Sequence, residues 1–165
     1  MSETTNQYIT FKLGNELFAI VVDQVREVLE VSTITRVPTA PDYMRGVVNV
    51  RGKAIPVVDM RLRFGLSPIQ ETINTRVVVM ELVLDGEAMV LGGMADSVHE
   101  VIEISATEIN PPPRIAMRWK TEFIQGMARR GEDFIIILDV NSVFATEEVA
   151  LVESLAQSEQ EVAVS

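Results

Sequence analysis

The chain carries one pattern twice. Val25-Arg26-Glu27-Val28-Leu29-Glu30-Val31 is echoed by Val98-His99-Glu100-Val101-Ile102-Glu103-Ile104, and Asp23 and Asp96 precede the two segments at the same spacing (96 − 23 = 73). Gly46 then answers Gly126, Asp59 answers Asp139 and Phe64 answers Phe144, each at a wider spacing (126 − 46 = 80). The second copy therefore holds seven extra residues (80 − 73 = 7) between Ile104 and Gly126, where Pro111-Pro112-Pro113 and Trp119 stand. A repeat of this kind implies two similar small subdomains. The connection between them is expected near Ser67 to Asn74.

Each copy reads as β structure. Ile9, Phe11 and Leu13 alternate with Tyr8, Thr10 and Lys12, which predicts a half-buried strand of period two. Gly14-Asn15 turns it into Leu17 to Val22. Gly46 to Val50, Arg51-Gly52 and Ala54 to Asp59 read as strand, tight turn and strand, with Pro56 favouring an edge or bulged position. Arg76 to Leu84, Asp85-Gly86 and Glu87 to Met94 form a second hairpin, because Asp-Gly suits the primed turn that matches strand twist. Short strands joined by tight turns hide their edges by closing into barrels or packing as sandwiches. Helix is scarce: one turn over Asp42 to Arg45, and a C-terminal helix capped by Thr146 with Val149, Val152, Leu155 and Ala156 on its apolar face. The tail from Ser158 is expected to fray.

Composition narrows the chemistry. With 165 residues, 47% of them hydrophobic, the chain is large enough to bury a core unaided. Its net charge of −10, with acids interleaved among Arg26, Arg36, Arg45, Arg51, Arg61 and Arg63, argues against nucleic acid and against an anionic membrane surface. There is no cysteine, so disulfides, thiolate metal sites and cysteine nucleophiles are excluded. No apolar run reaches the length of a membrane span, and MSETTNQ is not a signal peptide; the reading is a soluble, cytoplasmic protein.

Catalytic residues do not assemble on paper. His99 is the single histidine, which leaves no Ser-His-Asp arrangement without it and no metal site of ordinary ligand density. Asp59 and Asp139 end equivalent strands, so they read as acceptors of turn or cap amides rather than as a carboxylate pair. Gly92-Gly93 reads as a bend or bulge, and Met89, Met94 and Met117 as core filler. Two features ask for a binding role: Arg51 at a hairpin tip within reach of Glu27, and the insertion from Asn110 to Trp119 with Ile115 and Met117.

The string Thr35-Arg36-Val37-Pro38-Thr39-Ala40-Pro41-Asp42-Tyr43-Met44-Arg45-Gly46-Val47-Val48-Asn49-Val50-Arg51-Gly52-Lys53-Ala54-Ile55-Pro56-Val57-Val58-Asp59-Met60-Arg61 resembles the signature of CheW-like chemotaxis coupling proteins. So does Phe11-Lys12-Leu13-Gly14-Asn15-Glu16-Leu17-Phe18-Ala19-Ile20 leading into Val25-Arg26-Glu27-Val28. The resemblance covers roughly Tyr8 to Leu155. It implies a mostly β fold of two SH3-like five-stranded barrels sharing a core, with a short C-terminal helix. A single domain over 8–155 is implied, with one subdomain near 17–75 and another near 76–140.

The resemblance also implies a non-enzymatic adaptor without cofactor or metal. Such proteins bind a chemoreceptor's cytoplasmic tip and the regulatory domain of the histidine kinase CheA, and are recruited to membrane receptor arrays by those contacts. Motif positions of the receptor groove fall on Val25, Glu27, Gly46, Asn49, Arg51, Val98 and Val101, and those of the kinase contact on Asn110, Arg114 and Ile115. Two other classes remain open from the residues alone: an enzyme using Asp59, Asp139 or His99, and a small-ligand sensor or other interaction module with a pocket between barrels.

Overall fold

A computed structural model describes residues 5–31, 33–38, 40–84, 86–111 and 123–144. Its elements are β1 (Thr5–Leu13), β2 (Glu16–Val21), β3 (Val25–Glu30), β4 (Met44–Val50), β5 (Lys53–Asp59), α1 (Met60–Arg63), β6 (Arg76–Leu84), β7 (Glu87–Ala95), β8 (Ser97–Ser105), β9 (Ile109–Asn110), β10 (Ile124–Arg130), β11 (Asp133–Leu138) and α2 (Val140–Phe144). They make two curled sheets, ordered β8-β1-β2-β11-β10-β9 and β3-β6-β7-β5-β4. The mostly β fold and its two barrel-like halves agree with the sequence reading.

The repeat explains the sheet orders. With β8 matched to β3, β10 to β4, β11 to β5 and the β1-β2 hairpin to β6-β7, both sheets have the same order, and β9 is an addition at one edge. Each hairpin pairs with strands that follow the other hairpin. A 3-10 turn at Val22–Gln24 carries the chain from β2 into the second sheet, and Asp96 alone carries it from β7 back into the first. A split between residues 75 and 76 is therefore not the one hydrogen bonding makes. Residues 25–95 supply one sheet, and the segments on either side supply the other.

Three apolar clusters follow from this exchange. Tyr8, Ala19, Ile102, Ile104, Ala128, Ile135 and Ile137 fill the first sheet's own curl. Val48, Ile55, Val57, Ile69, Val77, Val79 and Met94 fill the second's. The third takes Ile9, Phe11, Leu13, Phe18 and Ile20 from one sheet and Val58, Val78, Met80, Leu82 and Leu91 from the other, so it lies between them. Successive residues of β6 and of β11 alternate between an inner cluster and the shared one, which is why Val77–Met80 and Ile135–Leu138 read as unbroken apolar runs. The expectation of a half-buried β1 is corrected for the same reason: Tyr8 and Thr10 are each only 2% exposed, on the face opposite Ile9 and Phe11.

Pro56 does not lie in an edge strand. β5 runs between β4 and β7, but its parallel ladder with β7 begins at Val57, so the missing proline N–H is not needed there. Gly92 and Gly93 lie within β7 rather than at a bend; a Cβ would meet Val77 Cγ1 at 2.6 Å and Met60 Sδ at 2.6 Å, so they permit close packing. The single turn expected over Asp42 to Arg45 is a tight turn closed by Met44 N–H donating to the Pro41 carbonyl, after which β4 begins. The helix expected from Thr146 onwards lies outside the described residues.

At the junction of the halves, Arg63 stacks over Tyr43 (5.4 Å) and Phe123 (5.0 Å), two rings that correspond in the repeat (123 − 43 = 80). Its Nε donates to the carbonyl of Val143, which is the counterpart of Arg63 itself (143 − 63 = 80). One side chain thus ties α1 to α2.

Gly46 is a backbone requirement. Its φ is +141°, and a Cβ there would fall 2.1 Å from the Thr35 carbonyl oxygen, which accepts from Val47 N–H. Gly46→Ala is expected to cost about 3 kcal/mol or more in urea unfolding. Gly86→Ala, at φ +78° with open space around it, should cost about 1 kcal/mol. Equal losses would contradict the close-approach explanation.

Candidate functional site

β3 and β8 are edge strands of their sheets, each left with one side of its backbone unpaired by its own sheet. In both, a register shift sits at the same point of the repeat, between Val25 and Glu27 and in the stretch from Val98 to Val101. Directly opposed residues of an antiparallel pair point to the same face. Val25 opposes Met80 and Val28 opposes Val78; Val98 opposes Phe11 and Val101 opposes Ile9. All four opposing residues belong to the cluster between the sheets. The bulges therefore bring residues three apart onto one face, which strict alternation would put on opposite faces.

The four valines form the rim of the shared core. Val25 and Val98 are half-buried and pack on it, whereas Val28 and Val101 are 37% and 53% exposed. The 3-10 turn Val22–Gln24 leads from the first sheet directly into β3. Val21, four residues before Val25, opposes Tyr8, and Tyr8 opposes Ile102, next to Val101. Four residues reach at most ~14 Å, so β3 starts near the end of the first sheet at which Val21, Tyr8 and Ile102 lie in register.

Arg51 stands beside this rim. It occupies the first position of the two-residue β4–β5 turn, with φ 50° at Arg51 and 85° at Gly52, both in the left-handed region. Primed turns demand such angles, and a non-glycine residue holds them at a cost of about 1–2 kcal/mol. Asn49 Oδ1 accepts from Gly52 N–H at 2.9 Å and fixes the turn. The Arg51 guanidinium then forms a two-pronged contact with Glu27, Nη1 to Oε2 at 2.6 Å and Nη2 to Oε1 at 3.2 Å. β4 and β3 are the opposite ends of their sheet, so this pair closes the seam between its free edges. The Arg51 side chain remains 78% exposed. In the other half, Arg130 and Glu100 make a looser counterpart at 3.5 Å.

Of the expected receptor positions, Val25, Glu27, Asn49, Arg51, Val98 and Val101 lie on the rim, the turn or the seam between them. Gly46 has no side chain to offer and contributes through the backbone approach to Thr35. Val28 was not among the expected site residues, although the repeat pairs it with Val101 (101 − 28 = 73). Asn110 is exposed in β9, opposite Met127, whereas Arg114 and Ile115 lie outside the described residues.

The candidate catalytic groups are occupied separately. Asp59 is fully buried and accepts from the amides of Arg61 (2.9 Å), Leu62 (3.3 Å) and Ile69 (2.9 Å). Asp139 accepts from the Ser142 amide and hydroxyl at the start of α2. These are the cap roles read from the repeat. His99 is exposed, with Nε2 2.9 Å from Ser97 Oγ.

The model of the CheW-like domain matches residues 7–148. The chain belongs to the CheW-like domain family. Among curated proteins it is 34% identical over 157 residues to the chemotaxis protein CheW of Klebsiella aerogenes, covering 94% of this chain and 92% of that one. It is 30% identical over 149 residues to the chemotaxis protein CheW of Treponema pallidum, covering 90% and 88%. Among solved structures, the scaffolding protein TtCheW from Thermoanaerobacter tengcongensis superposes with a TM-score of 0.77 at 32% identity, covering 88% of this chain and 96% of that one. In this CheW-like domain the motif Asn49-Val50-Arg51-Gly52 is thus a strained turn that carries an exposed cation.

Replacing Arg51 by glycine relieves the left-handed strain and removes an exposed ion pair, two terms of similar size and opposite sign. Arg51→Gly should leave stability within about 1 kcal/mol of the wild type in thermal unfolding. A much larger loss would show that the seam depends on the pair.

Proposed function

We propose that this CheW-like domain is an adaptor without catalytic activity, which holds a chemoreceptor's cytoplasmic tip and the CheA regulatory domain in one complex. The observation that carries the reading is the duplicated valine rim with Arg51 beside it. An amphipathic helix recognises a partner through apolar side chains spaced at i, i+3, i+4 and i+7 laid into an apolar furrow. Two edge strands with paired valines at their shared core offer such a surface, and the Arg51 cation supplies orientation and register. The names of the relatives, chemotaxis and scaffolding proteins, support the same reading.

The kinase contact at Asn110, Arg114 and Ile115 rests on the family resemblance, with Asn110 exposed on β9 in support. Among the described residues no helix is long and apolar enough to cross a membrane. We assign the protein to the cytoplasm, recruited to receptor arrays through its partners.

The test is co-sedimentation with a receptor cytoplasmic fragment. Arg51→Glu and the double substitution Val28→Arg, Val101→Arg are each expected to weaken binding by about 30-fold or more, the scale of an interface hot spot. Melting temperatures should stay close to that of the wild type. Phe134→Ser, which changes an exposed apolar residue on another hairpin (57% exposed), should leave receptor binding intact. Undiminished binding by both rim variants would refute the assignment.

A further inference from the structure

An open pocket of about 660 Å³ is lined by Arg45, Arg61, Ser67, Gln70, Thr72 and Asp96 among others, and by none of the four rim valines. One wall is rigid: Arg45 comes from β4, Arg61 from α1, and Asp96 is the crossover residue that joins β7 to β8. Asp96 is itself held at both ends, its amide donating to the Lys12 carbonyl and its carboxylate accepting from Gly14 N–H. The opposite wall is the segment following α1, anchored where Ile69 enters the second sheet's inner cluster and where Thr75 is buried.

The polar groups of the pocket are under-used. Asp59, behind it, already accepts three amides, and Arg45 Nε approaches that carboxylate only to 3.6 Å, without a hydrogen bond. Arg45 spends Nη2 on the Ile69 carbonyl (2.6 Å) and leaves Nη1 with no partner among the described residues. Arg61 Nη1 reaches Asp96 only at 3.4 Å, while its Nη2 donates to the exposed Ser67 hydroxyl at 2.8 Å. Two guanidiniums and one carboxylate line the space itself, and the buried Asp59 carboxylate stands 3.6 Å behind Arg45. Arginine forks match the geometry of oxyanions, and the Asp96 carboxylate offers an acceptor across the same space.

The geometry points to a binding site for a small organic oxyanion that also carries a hydroxyl or ammonium donor, with Arg45 and Arg61 taking the oxyanion and Asp96 taking the donor. The site uses none of the four rim valines and does not depend on the adaptor reading. It is large enough for a sugar phosphate or a hydroxy acid, and it spans the corner where the chain passes from one sheet to the other.

The test is titration of the ¹⁵N-labelled full chain, followed by amide NMR, with glucose 6-phosphate and L-malate as separate probes and glucose as the uncharged control. Saturable shifts with at least one anionic probe are expected at Gly14, Ser67, Gln70, Thr72 and Asp96. Shifts with only one of the two tell a phosphate from a carboxylate ligand. Gln70 is exposed, so Gln70→Glu should fold normally and weaken binding by about tenfold, and Gln70→Lys should strengthen it. The proposal is overturned by the absence of saturable shifts with either anion up to about 10 mM, by equal shifts with glucose, or by binding indifferent to the charge at position 70.

Discussion

The shared core is the constraint from which the rest follows. Neither sheet can close on its own apolar surface, because β1, β2 and β11 on one side and β5, β6 and β7 on the other carry apolar residues on both faces. Among the described residues the outward faces cover each other. Strand exchange locks this arrangement: the β1-β2 hairpin feeds its next strand into the opposite sheet, and β6-β7 does the same in return. Separation of the halves would expose Phe11, Phe18, Met80 and Leu82 together, at ~2 kcal/mol for each large side chain. The halves are therefore expected to unfold as one cooperative unit.

The surface proposed for recognition is the place where that core runs out. Among the described residues β3 and β8 are the last strands of their sheets, with no further strand beyond their inward valines. The same bulge in each strand turns two residues three apart to the rim, and duplication of the strand duplicates the rim. Arg51 adds a cation held out by backbone strain, with Glu27 fixing its plane. The turn type fixes these left-handed angles, and a bulky side chain held in them projects from the tip in a set direction.

Much of this was legible from residue spacing. Asp59 and Asp139 were read as amide acceptors because they recur at matching positions, and they cap α1 and α2. The Arg51–Glu27 approach followed from placing the hairpin tip and Glu27 in the same barrel. The strand exchange was not legible, because a repeat in sequence does not say which copy a strand pairs with. Nor was Val28: period-two reasoning assigns it to the face opposite Val25, and only the bulge, a backbone feature without a residue signature here, reverses that. Alternation alone does not show that the Tyr8 and Thr10 face of β1 is buried, because a strand buried on both faces tolerates a threonine whose hydroxyl is satisfied, as Thr10 Oγ1 donates to the Glu100 carbonyl at 2.8 Å.

The most direct measurement is methyl NMR of the valine-labelled protein titrated with a receptor cytoplasmic fragment. The methyls of Val25, Val28, Val98 and Val101 should shift together and saturate at one stoichiometry, with Val83, exposed near the end of β6, unchanged. Shifts confined to other methyls, with these four silent, would contradict the claim that the rim of the shared core is where the partner helix docks.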